Sequence, residues 1–220
     1  MAAIPAEWQQ ALGGEYLTGW SSVHSIISRY SVGPSLWVFD PHDITDAAVG
    51  AQGPVAATAF MNFGYGDGQF LAADALQNQQ GSASPVWNHL SRGVYGFIVP
   101  GTRTFAVLGS SGGVDSGIGY KITQDDGNLC GGYCSYEAAD NYSYYWLFDL
   151  DEILGAAGVS DPRPYAYVRW TLPFSGNPGH VIIGGAFDPV GRVLYVALSK
   201  AGQVSTYDRP PLILTYQIPA

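Results

Sequence analysis

Two segments of this 220-residue chain overlay without a gap, residues 96–113 (GFIVPGTRTFAVLGSSGG) and 185–202 (GAFDPVGRVLYVALSKAG), at an offset of 89. Pro100 and Pro189, Arg103 and Arg192, Val107 and Val196, and Ser110 and Ser199 coincide. Each segment reads as strand, tight Pro/Gly turn, strand. A unit that recurs at a long fixed spacing signals an array of similar modules. A second recurrence agrees with the first: Trp-Val-Phe-Asp at 37–40 returns as Trp-Leu-Phe-Asp at 146–149, each time before a short helical segment and a Pro-led strand.

Between these markers run short β-branched and aromatic stretches, at 25–29, 35–40, 54–63, 93–99, 103–110, 143–149, 164–174, 181–187, 192–199 and 211–218, separated by Gly, Pro, Asp and Ser. That is the pattern of an all-β chain. Only the segment around Ala6 to Ala11 reads as an independent helix. Lettered by repeat, the strands give B-C-D, A-B-C-D and A-B-C, with 15–19 (EYLTG) supplying the missing first strand. Tandem four-stranded antiparallel units are β-propeller blades. The expectation is therefore one domain over 1–220 with about three blades, near 15–63, 93–174 and 181–220. Three blades do not close a ring, so two copies are expected to complete six blades as a homodimer.

Composition sharpens the class. Charged residues are 12% of the chain, against roughly a quarter in an ordinary domain. Twenty-nine glycines, 15 tyrosines and 14 prolines take up the difference, which suits strands and ordered turns. The net charge of −9 repels phosphate backbones and anionic lipid, so neither nucleic acid nor a membrane surface is expected as a partner. The start, MAAIPAEWQQALGG, carries no basic segment followed by an apolar one, so no signal peptide is read there.

Cys130 and Cys134 stand in Cys-Gly-Gly-Tyr-Cys. Disulfide, free thiols and metal ligands all remain open from the spacing, although no second Cys/His pair completes a zinc set.

The stretches 26–29 (IISR), 119–134 (GYKITQDDGNLCGGYC), 144–154 (YYWLFDLDEIL), 163–174 (RPYAYVRWTLPF) and 182–189 (IIGGAFDP) resemble a poorly characterised family of exported bacterial β-propeller proteins. That resemblance covers nearly the whole chain and implies a half-propeller from a longer architecture, in an extracellular setting. It implies no activity and no catalytic residue.

In a propeller the B–C and D–A connections emerge on one rim, and here they are the long ones, at 111–141 and 64–92. Long connections in a compact domain usually carry function. His180 and His89 are the candidate bases or ligands on that rim, since imidazole titrates near neutrality. Asp115 is the carboxylate that would orient one of them. Arg92, Tyr120, Lys121 and Tyr133 are candidate binding residues. Asp125 and Asp126 are the candidate ligands for a divalent cation, calcium favoured, although the EF-hand spacing is not met. His24 and His42 fall toward the opposite, scaffold rim. Gly109-Ser-Ser111-Gly-Gly113 matches G-x-S-x-G but lacks the helix that a nucleophile elbow needs.

Two functions follow as expectations. One is a hydrolase at the channel mouth, with metal-assisted cleavage of an ester or phosphoester. The other is a lectin-like module that binds a glycan or small molecule through aromatic loops without turnover.

Overall fold

A computed structural model describes residues 1–19, 31–45, 55–64, 69–72 and 84–219. Three antiparallel meanders follow one another along the chain. The first sheet consists of β1 (Ala2–Ala3), β2 (Tyr16–Gly19), β3 (Ser35–Phe39) and β4 (Thr58–Asn62), with α1 (Ala6–Leu12) and α2 (His42–Thr45) in its connections. The second consists of β5 (Arg92–Ile98), β6 (Thr104–Gly112), β9 (Asn141–Asp149) and β10 (Ala166–Arg169). Between β6 and β9 the chain inserts a separate hairpin, β7 (Ile118–Tyr120) with β8 (Tyr133–Ser135); α3 (Leu150–Gly155) joins β9 to β10. The third sheet has three strands, β11 (Ile182–Asp188), β12 (Val193–Leu198) and β13 (Leu212–Gln217).

The all-β expectation and the strand order within each repeat agree with this topology. One assignment is corrected. Tyr16–Gly19 is the second strand of its sheet, because Ala3 pairs with Tyr16 and takes the edge. A two-residue strand carries no alternation for a sequence reading to detect. The stretch 164–174 also shortens to Ala166–Arg169, bracketed by Pro164 and Pro173. The segment 25–29, His24 and the start of 54–63 lie outside the described residues.

Both Trp-x-Phe-Asp motifs fall on the third strand of their sheets, and their aspartates do the same work. Asp40 Oδ1 accepts from His42 N at 2.8 Å, and Asp149 Oδ1 accepts from Asp151 N at 2.8 Å. Each carboxylate satisfies a free N–H at the start of the following helical turn. The 89-residue repeat also extends to a defect. Pairing of β5 with β6 slips between Gly93 and Tyr95, and pairing of β11 with β12 slips between Ile182 and Gly184, at equivalent positions. Such bulges bend a strand and redirect the residue beside them.

The second sheet lies between the other two. Successive strand residues alternate faces. Tyr95, Phe97, Ala106 and Leu108 therefore look one way, toward the third sheet: Phe97 meets Phe187 at 5.1 Å between ring centroids. The opposite face carries Ile98, Phe105, Val107, Trp146 and Phe148, all at 1% exposure or less. In the first sheet Leu17, Leu36, Val38 and Met61 share one face and join the same buried cluster, each at 3% exposure or less. Hydrogen bonds also tie neighbouring sheets together on the side away from the long connections. Glu7 of α1 accepts from Gly101 N at 3.0 Å, Trp8 Nε1 donates to Thr102 O at 3.0 Å, and Asn62 N donates to Val159 O at 2.8 Å. No helix among the described residues is long and apolar enough to cross a membrane.

Candidate functional site

The connections from β6 to β9 and from β10 to β11 leave the sheets at one end and build two adjoining clefts with the start of β5. The larger, about 590 Å³, is lined by residues that include Arg92, Gln124, Asp126, Asn128, Tyr133 and Asn141. The smaller, about 280 Å³, takes Tyr142, Arg169, Trp170, Asn177 and His180. Asn141, Asn177, Pro178 and Val181 line both. Asn141 Nδ2 donates to Pro178 O at 2.7 Å, which fixes the 177–181 loop between the clefts. Arg92 and Val181, equivalent in the repeat, each flank a bulge and each line the larger cleft.

The β7–β8 hairpin forms the outer wall. Lys121 N donates to Gly132 O at 2.8 Å, Gln124 N donates to Asn128 O at 2.9 Å, and Cys130 is joined to Cys134 by a disulfide. The open question about the cysteines is thereby answered: they are joined, closing a small ring within the return arm of the hairpin. Asp126 and Asp125 organise the same loop. Asp126 Oδ1 accepts from Asn128 N at 2.9 Å, and Asp125 Oδ1 accepts from Ala138 N at 2.7 Å. Gly127, between Asp126 and Asn128, sits at φ 83°, a left-handed turn conformation that favours glycine. Among the described residues no group of three or more His, Cys, Asp or Glu side chains is arranged to hold a metal ion.

Behind the wall the aromatic rings are layered. Tyr133 lies 4.5 Å from the His89 ring and 5.0 Å from the Tyr120 ring, and Lys121 Nζ sits 5.3 Å above Tyr120. His89 is only 5% exposed, so it backs Tyr133 and does not face solvent. Asn88 locks that segment: its Nδ2 donates to Gly112 O at 3.1 Å, and its N donates to Ser91 Oγ at 3.0 Å. Ser111, in the G-x-S-x-G match, lies within β6 at 1% exposure with its Oγ 3.0 Å from Ser91 Oγ; the strand simply continues to Gly112, and no nucleophile elbow forms.

The smaller cleft is organised by a charge cluster. Arg169 NH2 bonds Asp115 Oδ2 at 2.5 Å, stands 3.7 Å from Asp140 Oδ1 and places its guanidinium 4.0 Å over the Tyr142 ring. Asp140 is 4% exposed, and its Oδ2 accepts from Asp115 N, Ser116 N and Ser116 Oγ at 2.8 to 3.0 Å. The carboxylate of Asp115 is thus turned to Arg169. His180 is oriented differently, with Nδ1 2.9 Å from Phe174 O, and Phe174 holds φ 65° in the left-handed region. A non-glycine residue there is uncommon and clusters at functional sites.

Of the residues singled out from sequence, Arg92, Asp126, Tyr133 and Cys134 meet on the larger cleft and His180 lines the smaller. Asp115 joins through Arg169, and His89 lies beneath Tyr133. Tyr120, Lys121, Asp125 and Cys130 shape the hairpin without lining either cleft. His42 is exposed in α2, at the opposite end of its sheet from the β2–β3 connection. Sequence reasoning missed Arg169, Asn141 and Asn177. Asn177-Pro178-Gly179 had the signature of a loop turn, but nothing local marks Arg169 as the partner of a carboxylate 54 residues away.

Burial raises the phenols around the clefts. Tyr142 and Tyr144 are pushed from 10 up to about 12 by desolvation, opposed at Tyr142 by the Arg169 charge; Tyr95, between the second and third sheets, is also pushed up to about 12 by burial. A folded-state value above the unfolded one favours the protonated form in the fold. This contribution is therefore intact below pH 10 and is lost as pH rises toward about 12. In an alkaline titration followed at 295 nm, three tyrosines are expected to ionise late, with unfolding in the same window. Simultaneous ionisation of all tyrosines near 10 in the folded protein would contradict their burial.

No protein-family model matches the chain, and no curated protein or solved structure matches it either.

Proposed function

We propose that the chain is one half of a β-propeller whose rim cleft binds a neutral carbohydrate. The propeller reading is supported by successive antiparallel meanders of four, four and three strands stacked face to face, with their long connections gathered at one end. The carbohydrate reading rests on the lining of the two clefts. Tyr133, Tyr142 and Trp170 supply aromatic surface, and Gln124, Asn128, Asn141 and Asn177 supply amides. Sugars stack apolar ring faces on aromatic side chains and exchange hydroxyl hydrogen bonds with amides, which can donate and accept at once. Asp126 is the single carboxylate among the described residues of both linings, which favours binding over glycoside hydrolysis, a reaction that uses a pair of carboxyl groups. The disulfide suits an oxidising compartment and accords with an exported protein.

The test is retention on a panel of neutral polysaccharides, followed by calorimetry with the oligosaccharide that is retained. Tyr133→Ala and Asn141→Ala are each expected to weaken binding by about tenfold, in line with about 1.4 kcal/mol for a lost stacking or hydrogen-bonding partner. No product should accumulate. Absence of retention on every polysaccharide would sink this reading.

A second reading is favoured by one observation. The contact of His180 Nδ1 with a backbone carbonyl fixes the tautomer with Nδ1–H, which leaves Nε2 as a basic nitrogen in a cleft that also holds Arg169. This is the arrangement a hydrolase of esters or phosphoesters would use. Turnover of such a substrate, abolished in His180→Ala, would select it. Loss of that turnover on adding a chelator would bring in the divalent cation, calcium favoured, that the sequence suggested.

A further inference from the structure

Each sheet in this chain has two kinds of face, and the repeat identifies which kind is left bare. In the second sheet, Tyr95, Phe97, Ala106 and Leu108 form the face on which the third sheet packs. The fit is close: a Cβ added to Gly185 would stand 2.7 Å from the Tyr95 ring. In the first sheet the same role falls to Leu36 and Val38, which are equivalent to Tyr145 and Leu147 by the Trp-x-Phe-Asp alignment and are 0% and 3% exposed. The chain thus covers this kind of face twice, each time with the next sheet.

The third sheet presents it a third time. Displaced by 89 residues, Phe97, Ala106 and Leu108 become Ala186, Tyr195 and Ala197, which share a face with Ile213 and Thr215. There Tyr195 is 38% and Ile213 53% exposed. None of these five residues is charged, in a chain of net charge −9. Asp188, at the turn end of β11, is the one charged strand residue on this face, so the centre of the face avoids repulsion between two acidic bodies and loses little on desolvation.

The complementary face is incompletely covered at the other end. Trp146 and Phe148 in the second sheet are 0% exposed. Their counterparts Trp37 and Phe39 share the far face of the first sheet with Tyr16, and Trp37 and Tyr16 remain partly exposed. One chain therefore owns both halves of an interface that it builds twice internally.

We infer that a second copy of this chain is the occupant. The third sheet of each copy receives the first sheet of the other about a two-fold axis, continuing the internal stacking until six sheets close. A second copy covers both incompletely covered faces at once, whereas a single added sheet would only move one of them outward. This inference rests on the stacked-sheet reading of the fold and does not depend on what the clefts bind.

Sedimentation of the full chain is expected to give a mass near twice 23.4 kDa at micromolar concentration. Tyr195→Asp with Ile213→Asp, both at exposed positions that folding tolerates, should raise the dimer dissociation constant by at least about 30-fold with the circular dichroism unchanged. Hydrogen exchange gives a second readout that needs no variant. Protection of Ser35–Phe39 and Leu212–Gln217 should rise together with concentration. A folded monomer at every concentration would overturn the inference. So would a dimer indifferent to both aspartates, a concentration dependence confined to other strands, or open-ended growth in place of a closed pair.

Discussion

Replacing Trp146 by alanine is expected to remove about 3–5 kcal/mol of stability, read as a shift of the urea midpoint without a change of slope. The indole is 0% exposed and sits 4.6 Å from Trp87 and 5.0 Å from Tyr144 between ring centroids. Its deletion leaves a cavity in the middle sheet, where relaxation would have to move two other sheets. A second cost is specific to the indole nitrogen. Trp146 Nε1 donates to Val86 O at 2.6 Å, beside Tyr144 Oη, which donates to Pro85 O at 2.9 Å. These bonds tie the segment before β5 to the sheet, and that segment carries His89, the backing of Tyr133. Trp146→Ala is therefore expected to weaken ligand binding as well, although the residue lines neither cleft. Trp146→Phe separates the contributions, since it keeps most of the apolar contact and loses the hydrogen bond. Its expected cost is about 1–3 kcal/mol, from an orphaned carbonyl and a smaller cavity. A loss below about 1 kcal/mol in the alanine variant would mean that the core is not built around this ring.

The parts of this structure that were legible in the sequence share a property: each has a local cause. The strand–turn–strand unit at 96–113 and 185–202 stands out because Pro100, Gly101 and Pro189 punctuate two apolar runs. Trp-x-Phe-Asp stands out because burial of the indole, alternation along β9 and capping of the next turn by Asp149 are all satisfied within a few residues. What stayed illegible is assembled over distance. The edge pairing of Ala2–Ala3 depends on β2 thirteen or more residues away. Arg169 looks like any strand residue until Asp115 and Tyr142 close around it. The candidate rim was legible only as a set of long connections. Which of its residues face a cleft, and which hold the hairpin, is decided by contacts such as Asn141 to Pro178 that span 37 residues. His89 illustrates the difference: residue type marked it as a candidate base, and burial makes it a platform.

Gly109→Ala is expected to be the most damaging glycine substitution among the described residues, and it tests the bulge that aims Arg92 into the cleft. An ideal Cβ at Gly109 would lie 1.7 Å from the carbonyl oxygen of Arg92, 2.8 Å from its carbonyl carbon and 3.2 Å from Gly93 Cα. All three are backbone atoms, so no rotamer change relieves the overlap. The only way out is to part β5 from β6 where Gly93 pairs with Gly109, which sacrifices ladder hydrogen bonds of a strand buried at every position after its first. A cost of at least about 3 kcal/mol is expected, the range reserved for changes that a packed interior cannot absorb. Gly155→Ala is the matched control. Nothing lies within 4 Å of its added Cβ, and it ends α3 without a positive φ, so the change should be neutral or stabilising by up to about 1 kcal/mol. The two readouts of Gly109→Ala also distinguish mechanisms. A loss of stability together with a loss of binding means that the sheet and the cleft share this contact. A loss of binding at full stability means that the start of β5 alone has shifted, carrying Arg92 out of the wall. If both are preserved, the two strands do not approach as described, and the bulge cannot be what positions the arginine.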